Sequence, residues 1–327
     1  MSKLWERADR SGDRATSVNG QGPAVMVAPR SDAPFREAIE EGGGRYTKGK
    51  DAEAIIWTDP HDFKALAKLV RKVNPRWVQL PFAGIELFIR EKVVDKDRVW
   101  TCAKGVYGPA TAEHALALVL AAARRLNDHI GAMGWRYGGF GTPERRLKDS
   151  TVLVIGTGGI GKALVPMLRP LGVRVLAANR TGQALEGAEV TEPVENLVHL
   201  LTEADYVVLA CALTPETTGM FDRSMLDYMK EDAWLVNVAR GKLVVTDHLV
   251  KALKQGTIGG AALDVTDPEP LPIGHPLWSF ENVIITPHVA NTWDMALPEL
   301  RELVRRNVEH FAGGEELEGI VDPDLGY

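Results

Sequence analysis

Arg240, Glu269 and His288 are the residues whose types could do chemistry together. Reduction of a 2-keto acid requires a clamp for the carboxylate, a hydride and a proton. Arg240 offers paired charge-assisted bonds to a carboxylate. His288 can give a proton to a carbonyl oxygen, or take one from an alcohol in the reverse direction. A carboxylate beside it, Glu269, favours the imidazolium and fixes the orientation of the ring. The expectation is a His288 pKa raised by Glu269. All three follow apolar runs: WLVNVARGKLVV at 234–245, AALDVTDPEPLP at 261–272 and VIITPHVANT at 283–292. Asp264 also closes the second run. Such runs read as parallel strands, whose C-terminal ends open on one edge of a sheet. The three groups then converge without being neighbours in sequence. The remaining histidines make no convincing metal site with Cys or acid neighbours, so no metal is expected.

A binding site for the hydride carrier is readable at 151–161, TVLVIGTGGIG. Gly156, Gly158 and Gly161 fill the three glycine places of a dinucleotide fingerprint: the tight turn, the approach to pyrophosphate, and helix–strand packing. Gly159 and Ile160 lie between them, where a helix N-terminus would offer amides to phosphate. An apolar strand precedes the loop and a helical pattern follows, which is the context the motif requires. The next strand runs into Asn179, Arg180 and Thr181. An NAD site usually places an acid about 20 residues past the glycines, on the ribose hydroxyls. A carboxylate would repel a 2′-phosphate, whereas Arg180 can pair with it. NADP is expected, with NAD as the alternative.

These groups need a scaffold. Short β-rich runs at 24–28, 54–58, 77–80 and 99–102 alternate with helical stretches at 34–40 and 61–73. A helix at 113–126 follows, then a loop at 131–148 rich in Gly and Arg. Strands are expected again at 152–155, 174–177, 206–210, 234–238, 260–264 and 283–286, with a helix at 162–171. A last helix at 297–311 stops at Gly313-Gly314. Near-continuous apolar strands separated by helices imply parallel sheets covered on both faces. The fold class is α/β, with two Rossmann-like doubly wound domains. A chain of 327 residues fits two domains. Apolar residues make up 45% and charged residues 25%, which excludes collagen, disorder and coiled coil for the whole chain. The net charge of −6 argues against nucleic acid or anionic lipid as the main partner. Cys102 and Cys211 form no disulfide framework and suit a reducing compartment, so a cytoplasmic location is expected. Residues 1–22 read as a poorly ordered polar leader, without the apolar stretch of a signal peptide. The longest apolar run, at 115–123, is too short to span a membrane.

GTGGIG, LTPETTGMFD (213–222), MKEDAWLVNVARGKLV (229–244), ALDVTDPEPLP and TPHVANT are five linked motifs. In that order and spacing the chain resembles the D-isomer-specific 2-hydroxyacid dehydrogenases, from about Pro23 to its end. The resemblance implies a flavodoxin-like substrate domain built from 23–109 plus 291–327. A dinucleotide domain, 110–290, is inserted into it, with an active-site cleft between the two. Hinge closure there would expel water around the hydride. Arg240, Glu269 and His288 fall on the family's catalytic triplet, with Arg240 and His288 on the substrate. Asp264 would meet the nicotinamide carboxamide. Cys211, Leu213, Pro215 and Thr218 would line the cofactor, as would Val238 and Ala239. QLPFAGI at 79–85 looks like the substrate loop, its Ala83 and Gly84 amides holding the carboxylate. Adjacent amides beside a glycine form such a nest. Phe82 would shape the side-chain pocket or pack in the core. The helix from Glu113 looks like the family's dimer helix and implies a homodimer.

Departures refine this reading. Asn179 replaces the acid of NAD-using members, which resembles the NADPH-using glyoxylate and hydroxypyruvate reductases. Glu269 stands where the formate dehydrogenase branch carries Gln. No appended regulatory domain is expected after Tyr327. The expected activity is hydride transfer between NADP(H) and a small 2-keto or D-2-hydroxy acid, of the glyoxylate or hydroxypyruvate kind. Two alternatives stay open: an NAD-dependent enzyme for a bulkier acid, and a non-catalytic nicotinamide sensor like the corepressor relatives.

Overall fold

Strands form here where Val, Ile, Leu and Ala run without interruption, because both faces of each sheet are covered by helices. The computed structural model describes residues 22–30, 32–130, 132–135 and 144–324. The expected leader, apart from Gly22, and residues 131 and 136–143 of the expected loop lie outside the described residues. The chain divides into two compact units. One comprises the described residues as far as Tyr107 together with those from Trp293 onward; the other is Gly108–Thr292.

The first unit holds β1 (Ala24–Ala28), β2 (Arg45–Tyr46), β3 (Ala54–Trp57), β4 (Trp77–Gln79) and β5 (Val99–Thr101). They form a parallel sheet in the order β2-β1-β3-β4-β5, the flavodoxin-like winding. The two-residue period of a strand sends Val25 and Val27 to one face and Met26 and Ala28 to the other. The first face is covered by the helices Ala33–Glu41 and Trp293–Gly313, through Phe35, Ile39, Leu300, Leu303 and Val304. The second is covered by Phe63–Val73 and Glu86–Arg90, through Leu66, Val70 and Phe88. Each Leu or Val fully buried in this way contributes about 1.5–3 kcal/mol. At the carboxyl end of β4 a buried polar chain replaces apolar packing. Trp77 Nε1 donates to Thr101 Oγ1 at 2.7 Å, Thr101 Oγ1 donates to Gln79 Oε1 at 2.7 Å, and Asn307 Nδ2 donates to the same oxygen at 3.1 Å. Gln79 Nε2 donates onward to the Leu80 carbonyl at 2.9 Å, which fixes the start of the 79–85 loop.

The second unit holds β6 (Thr151–Ile155), β7 (Arg174–Asn179), β8 (Val190–Pro193), β9 (Tyr206–Leu209), β10 (Trp234–Asn237), β11 (Gly260–Leu263) and β12 (Val283–Ile285). All pair in parallel, in the order β12-β11-β10-β9-β6-β7-β8. Strand order reverses between β6 and β9, the switch point at which open α/β sheets bind ligands. Leu153, Ile155, Val207 and Leu209 face one core; Val152, Val154, Tyr206 and Val208 face the other. The helices Gly108–Ala123 and Gly159–Leu168 cover the second face.

Both units are the α/β parallel sheets expected. β2 and β8 are additions at sheet edges. Their sequences, RY and VTEP, have no apolar run, because an edge strand needs less burial than a central one. The long helix begins at Gly108 rather than 113, with Pro109 in its first turn, where a missing amide costs nothing.

Candidate active site

β6 runs into Gly156, whose φ of 106° is left-handed. A Cβ there would sit 2.5 Å from the Ala210 carbonyl oxygen and 2.6 Å from the Cys211 amide, so only glycine closes this turn against the end of β9. A Cβ at Gly161 would lie 2.3 Å from the Gly156 carbonyl oxygen. Gly158, the N-cap, differs: a Cβ there would meet no protein atom within 4 Å. Its side opens to space beside the helix start. The Gly159–Leu168 helix has no side-chain cap, and its first bond runs from Lys162 N to the Gly158 carbonyl at 2.9 Å. The amides before Lys162, including those of Gly159 and Ile160, point out of the helix at its positive end. A dinucleotide pyrophosphate fits this cradle.

At the end of β7 the Asn179 side chain is an organiser. Nδ2 donates to Thr157 Oγ1 at 3.1 Å and to the Gln183 carbonyl at 2.7 Å, and Oδ1 accepts from Thr181 N at 3.0 Å. It therefore ties the glycine loop to the 179–183 turn. Arg180 is exposed and forms no ion pair among the described residues. On the β9 side, threonines staple the next loop. Thr214 N donates to Thr217 Oγ1 at 2.8 Å, and Thr218 Oγ1 donates to the Thr214 carbonyl at 2.7 Å. Leu213 and Pro215 lie on this loop. Burial pushes the Cys211 thiol up to about 11, so it is an uncharged wall at neutral pH.

β10, β11 and β12 deliver the polar groups. After β10, the buried Asn237 side chain accepts from Ala239 N at 3.1 Å and donates to the Arg240 carbonyl at 2.9 Å. This turn, through Val238 and Ala239, presents Arg240, whose Nη1 donates to the Ala239 carbonyl at 2.7 Å. Gly241 allows the turn to abut the next loop: a Cβ there would overlap the Thr266 carbonyl, 1.9 Å away. That contact brings the Arg240 segment to the loop carrying Glu269. The Arg240 charge accordingly acts on both Glu269 and His288.

His288 Nδ1 lies 2.6 Å from Glu269 Oε1. A carboxylate only accepts, so Nδ1 carries a proton and Nε2 is the nitrogen left to exchange one. The bond to Glu269 raises the His288 pKa above the ordinary imidazole value, outweighing burial and the repulsion of Arg240. The same bond lowers the Glu269 pKa. Stabilisation from a raised histidine pKa is present in acid and is lost as pH rises through that raised value. Glu269→Gln removes the charge, and the His288 titration midpoint then falls, as read by NMR of the imidazole; an unmoved midpoint would remove Glu269 as the cause.

Asp264 directly follows β11 and is enclosed by donors from the 286–290 segment. Its carboxylate, expected at the nicotinamide carboxamide, is 1% exposed. Its Oδ1 accepts from Thr286 Oγ1 at 2.7 Å and from Val289 N at 3.0 Å, and Oδ2 accepts from Ala290 N at 3.0 Å. Burial pushes its pKa up, but the His114 imidazole together with these donors outweighs that and holds it down at about 2. The 286–290 segment thus wraps a buried anion, and His288 rides on it with φ of 53°. A non-glycine residue in that region costs on the order of 1–3 kcal/mol and persists where its surroundings over-determine it. The His288 amide bonds to the carbonyls of Asp264 at 2.8 Å and Thr286 at 3.0 Å.

In the first unit, the 79–85 loop carries Phe82, Ala83 and Gly84. The Phe82 ring meets Tyr107 and Trp293 edge-on, with centroids 5.6 and 6.4 Å apart. The Ala83 and Gly84 amides donate to no protein acceptor among the described residues. Among the described residues no cluster of His, Cys, Asp or Glu could hold a metal ion.

Residues 116–290 match the family pattern described as D-isomer specific 2-hydroxyacid dehydrogenase, NAD binding domain. The chain belongs to this family. It is an NAD(P)-dependent oxidoreductase of the 2-hydroxyacid dehydrogenase kind. It shares 41% identity over 304 residues with an uncharacterized protein in the proB 3′ region of Corynebacterium melassecola, over 89% of this chain and 95% of that one. With the glyoxylate reductase of Pyrococcus furiosus, identity is 37% over 224 residues, and the match spans 66% of each chain. A solved D-isomer specific 2-hydroxyacid dehydrogenase from Xanthobacter autotrophicus Py2, in complex with NADPH and MES, is similar with a TM-score of 0.80 and 27% identity. That match covers 94% of this chain and 100% of that one.

The sequence reading of this dehydrogenase missed Asn237, Gly241 and Thr286. Asn237 was legible as the residue that closes an apolar strand three places before Arg240. Gly241 follows Arg240 directly. Thr286 acts only through a carboxylate 22 residues away, which no local pattern announces.

Proposed function

We propose that this dehydrogenase reduces a small 2-keto acid, of the glyoxylate or hydroxypyruvate class, with NADPH. The observation that carries the reading is the 2.6 Å His288–Glu269 pair, on the same carboxyl edge as Arg240 and the glycine loop. The nicotinamide, when bound, supplies the hydride. The chain does the rest. Arg240 holds the substrate carboxylate. His288 passes its Nε2 proton to the carbonyl oxygen as it becomes alkoxide. Glu269 keeps the imidazole charged and oriented until then. The name of the Pyrococcus furiosus relative supports the substrate class.

The cofactor preference rests on charge. No carboxylate stands at Asn179, and exposed Arg180 forms no ion pair among the described residues, which suits it to a 2′-phosphate. The NADPH in the Xanthobacter structure supports this choice. A cytoplasmic homodimer completes the proposal. Leu120, Leu126, Ile130 and Met133 are exposed apolar groups on or just after the Gly108–Ala123 helix, as a pairing face requires. Both cysteines are free, and among the described residues no helix is long and apolar enough to cross a membrane.

Initial rates of NADPH and NADH oxidation against glyoxylate, hydroxypyruvate, pyruvate and bulkier keto acids test the reading. Oxidation of NADPH with a small keto acid is expected; activity with NADH alone would overturn the cofactor choice. In Arg180→Asp, NADPH affinity falls by about 10- to 100-fold, the size of one lost charge-assisted contact, while NADH affinity holds. NADPH and NADH affinities both unchanged from the wild type would remove Arg180 from the 2′-phosphate site.

A further inference from the structure

His114 lies on the Gly108–Ala123 helix and has no part in the proposed chemistry. Its Nε2 is 2.9 Å from Thr286 Oγ1 and 3.4 Å from Asp264 Oδ1. Proton counting fixes the direction of every bond in this chain. Asp264 is ionised at neutral pH and only accepts. The single Thr286 hydroxyl proton therefore goes to Asp264, 2.7 Å away. The Thr286 oxygen must then accept from His114, so Nε2 of His114 carries a proton in either charge state. The imidazole is the outermost donor of a buried set whose inner members are Thr286 Oγ1, Val289 N and Ala290 N.

Those inner donors all come from the segment that carries His288. We infer that His114 is a positioning residue for proton transfer at His288: by donating to Thr286 and Asp264 it completes the hydrogen-bond set that holds 286–290 in shape. This rests on the reading of His288 as the proton donor. Without the imidazole, the Thr286 oxygen loses its donor and its hydroxyl is free to turn away from Asp264. The strained backbone at His288 then loses part of what holds it, and the contact with Glu269 lengthens. The charged groups that face His288 are Glu269, Arg240 and Asp264. Glu269 raises its pKa most, so a longer contact moves its titration to lower pH.

The experiment compares full-length wild type, His114→Ala, His114→Gln and Thr286→Val with NADPH and glyoxylate, alongside His288→Ala. In His114→Ala, kcat falls by about 10- to 100-fold, the scale set by a misplaced catalytic group, with the NADPH dissociation constant unchanged. The alkaline limb of the reduction profile moves to lower pH. NMR titration of the His288 imidazole in the cofactor-free protein shows the same displacement. His114→Gln carries an amide that can reach the same acceptors and restores most of both effects; Thr286→Val reproduces the loss. Wild-type kcat and titration in His114→Ala would overturn the inference, as would a Gln variant no better than Ala. Should His114→Ala fail to fold, Thr286→Val with a wild-type His288 titration overturns it. If His288→Ala itself leaves turnover unchanged, the proposed chemistry fails instead; slow His288→Ala beside fast His114→Ala condemns this inference alone.

Discussion

Replacing His288 with alanine lowers turnover of the keto acid by about 10²–10⁴-fold, the range lost with a positioned general acid. The loss is large because the imidazole is committed on both sides. Nδ1 donates to Glu269 at 2.6 Å, so the ring cannot rotate to serve another role, and Nε2 is its only exchangeable nitrogen. A water entering the vacated space has neither the orientation nor the proton affinity to replace it. Cofactor affinity is expected to stay near wild type, because Gly156, Gly158 and the Asn179 turn hold their shape through bonds that do not involve 286–290. Steady-state rates with a fluorescence titration of NADPH separate the two quantities. Wild-type turnover in the variant would remove His288 from the mechanism; a parallel loss of NADPH binding would mean collapse of the loop.

Arg240→Ala is expected to lower kcat/KM by about 10²–10³-fold. Two charge-assisted bonds to a carboxylate, worth about 1.5–3 kcal/mol each, are partly replaced by water at this half-buried position. Most of the loss falls on KM, since the carboxylate is held before and during hydride transfer. A smaller part falls on kcat, because a loosely held acid no longer aims its carbonyl at His288. Arg240→Lys recovers only a fraction, since an ammonium lacks the planar fork. The variant also removes a cation that opposes the His288 imidazolium, so the His288 pKa rises further. The reduction profile of Arg240→Ala should extend to higher pH even as its rate falls. A KM unchanged from wild type would place the carboxylate elsewhere.

The sheets were legible because a buried parallel strand needs an unbroken apolar run, and β1, β6 and β10 have one. The same rule hid β2 and β8, whose edge positions require little apolar surface. The candidate site divides in a similar way. His288, Glu269 and Arg240 were readable because chemistry dictates their types and a parallel sheet dictates that strand ends meet. The Asp264 carboxylate was readable as present but not in its surroundings, since its four donors come from residues 114, 286, 289 and 290. His114 and Thr286 are 172 residues apart, and only the folded sheet makes them neighbours. Gly241 is required by a carbonyl of the following strand loop, a clash that exists only in three dimensions.

The first unit is built from both ends of the chain, and this governs the order in which the protein can be made. Its Trp293–Gly313 helix covers the same sheet face as Ala33–Glu41, and Asn307 reaches Gln79 across 228 residues of sequence. A ribosome delivers residues from the N-terminus, so β1 to β5 emerge long before the helix that buries Val25, Val27 and Ile56. All the strands of Gly108–Thr292 emerge in the interval and can pair with one another at once. The inserted unit can thus complete its sheet first, while the N-terminal sheet waits with one apolar face only partly covered, by Ala33–Glu41. That wait is when exposed strands are most prone to wrong pairing. Closing it needs a single long-range event, the docking of one helix. In this dehydrogenase the exposed interval lasts for the synthesis of nearly two hundred residues, and chaperone demand should track translation speed across that stretch.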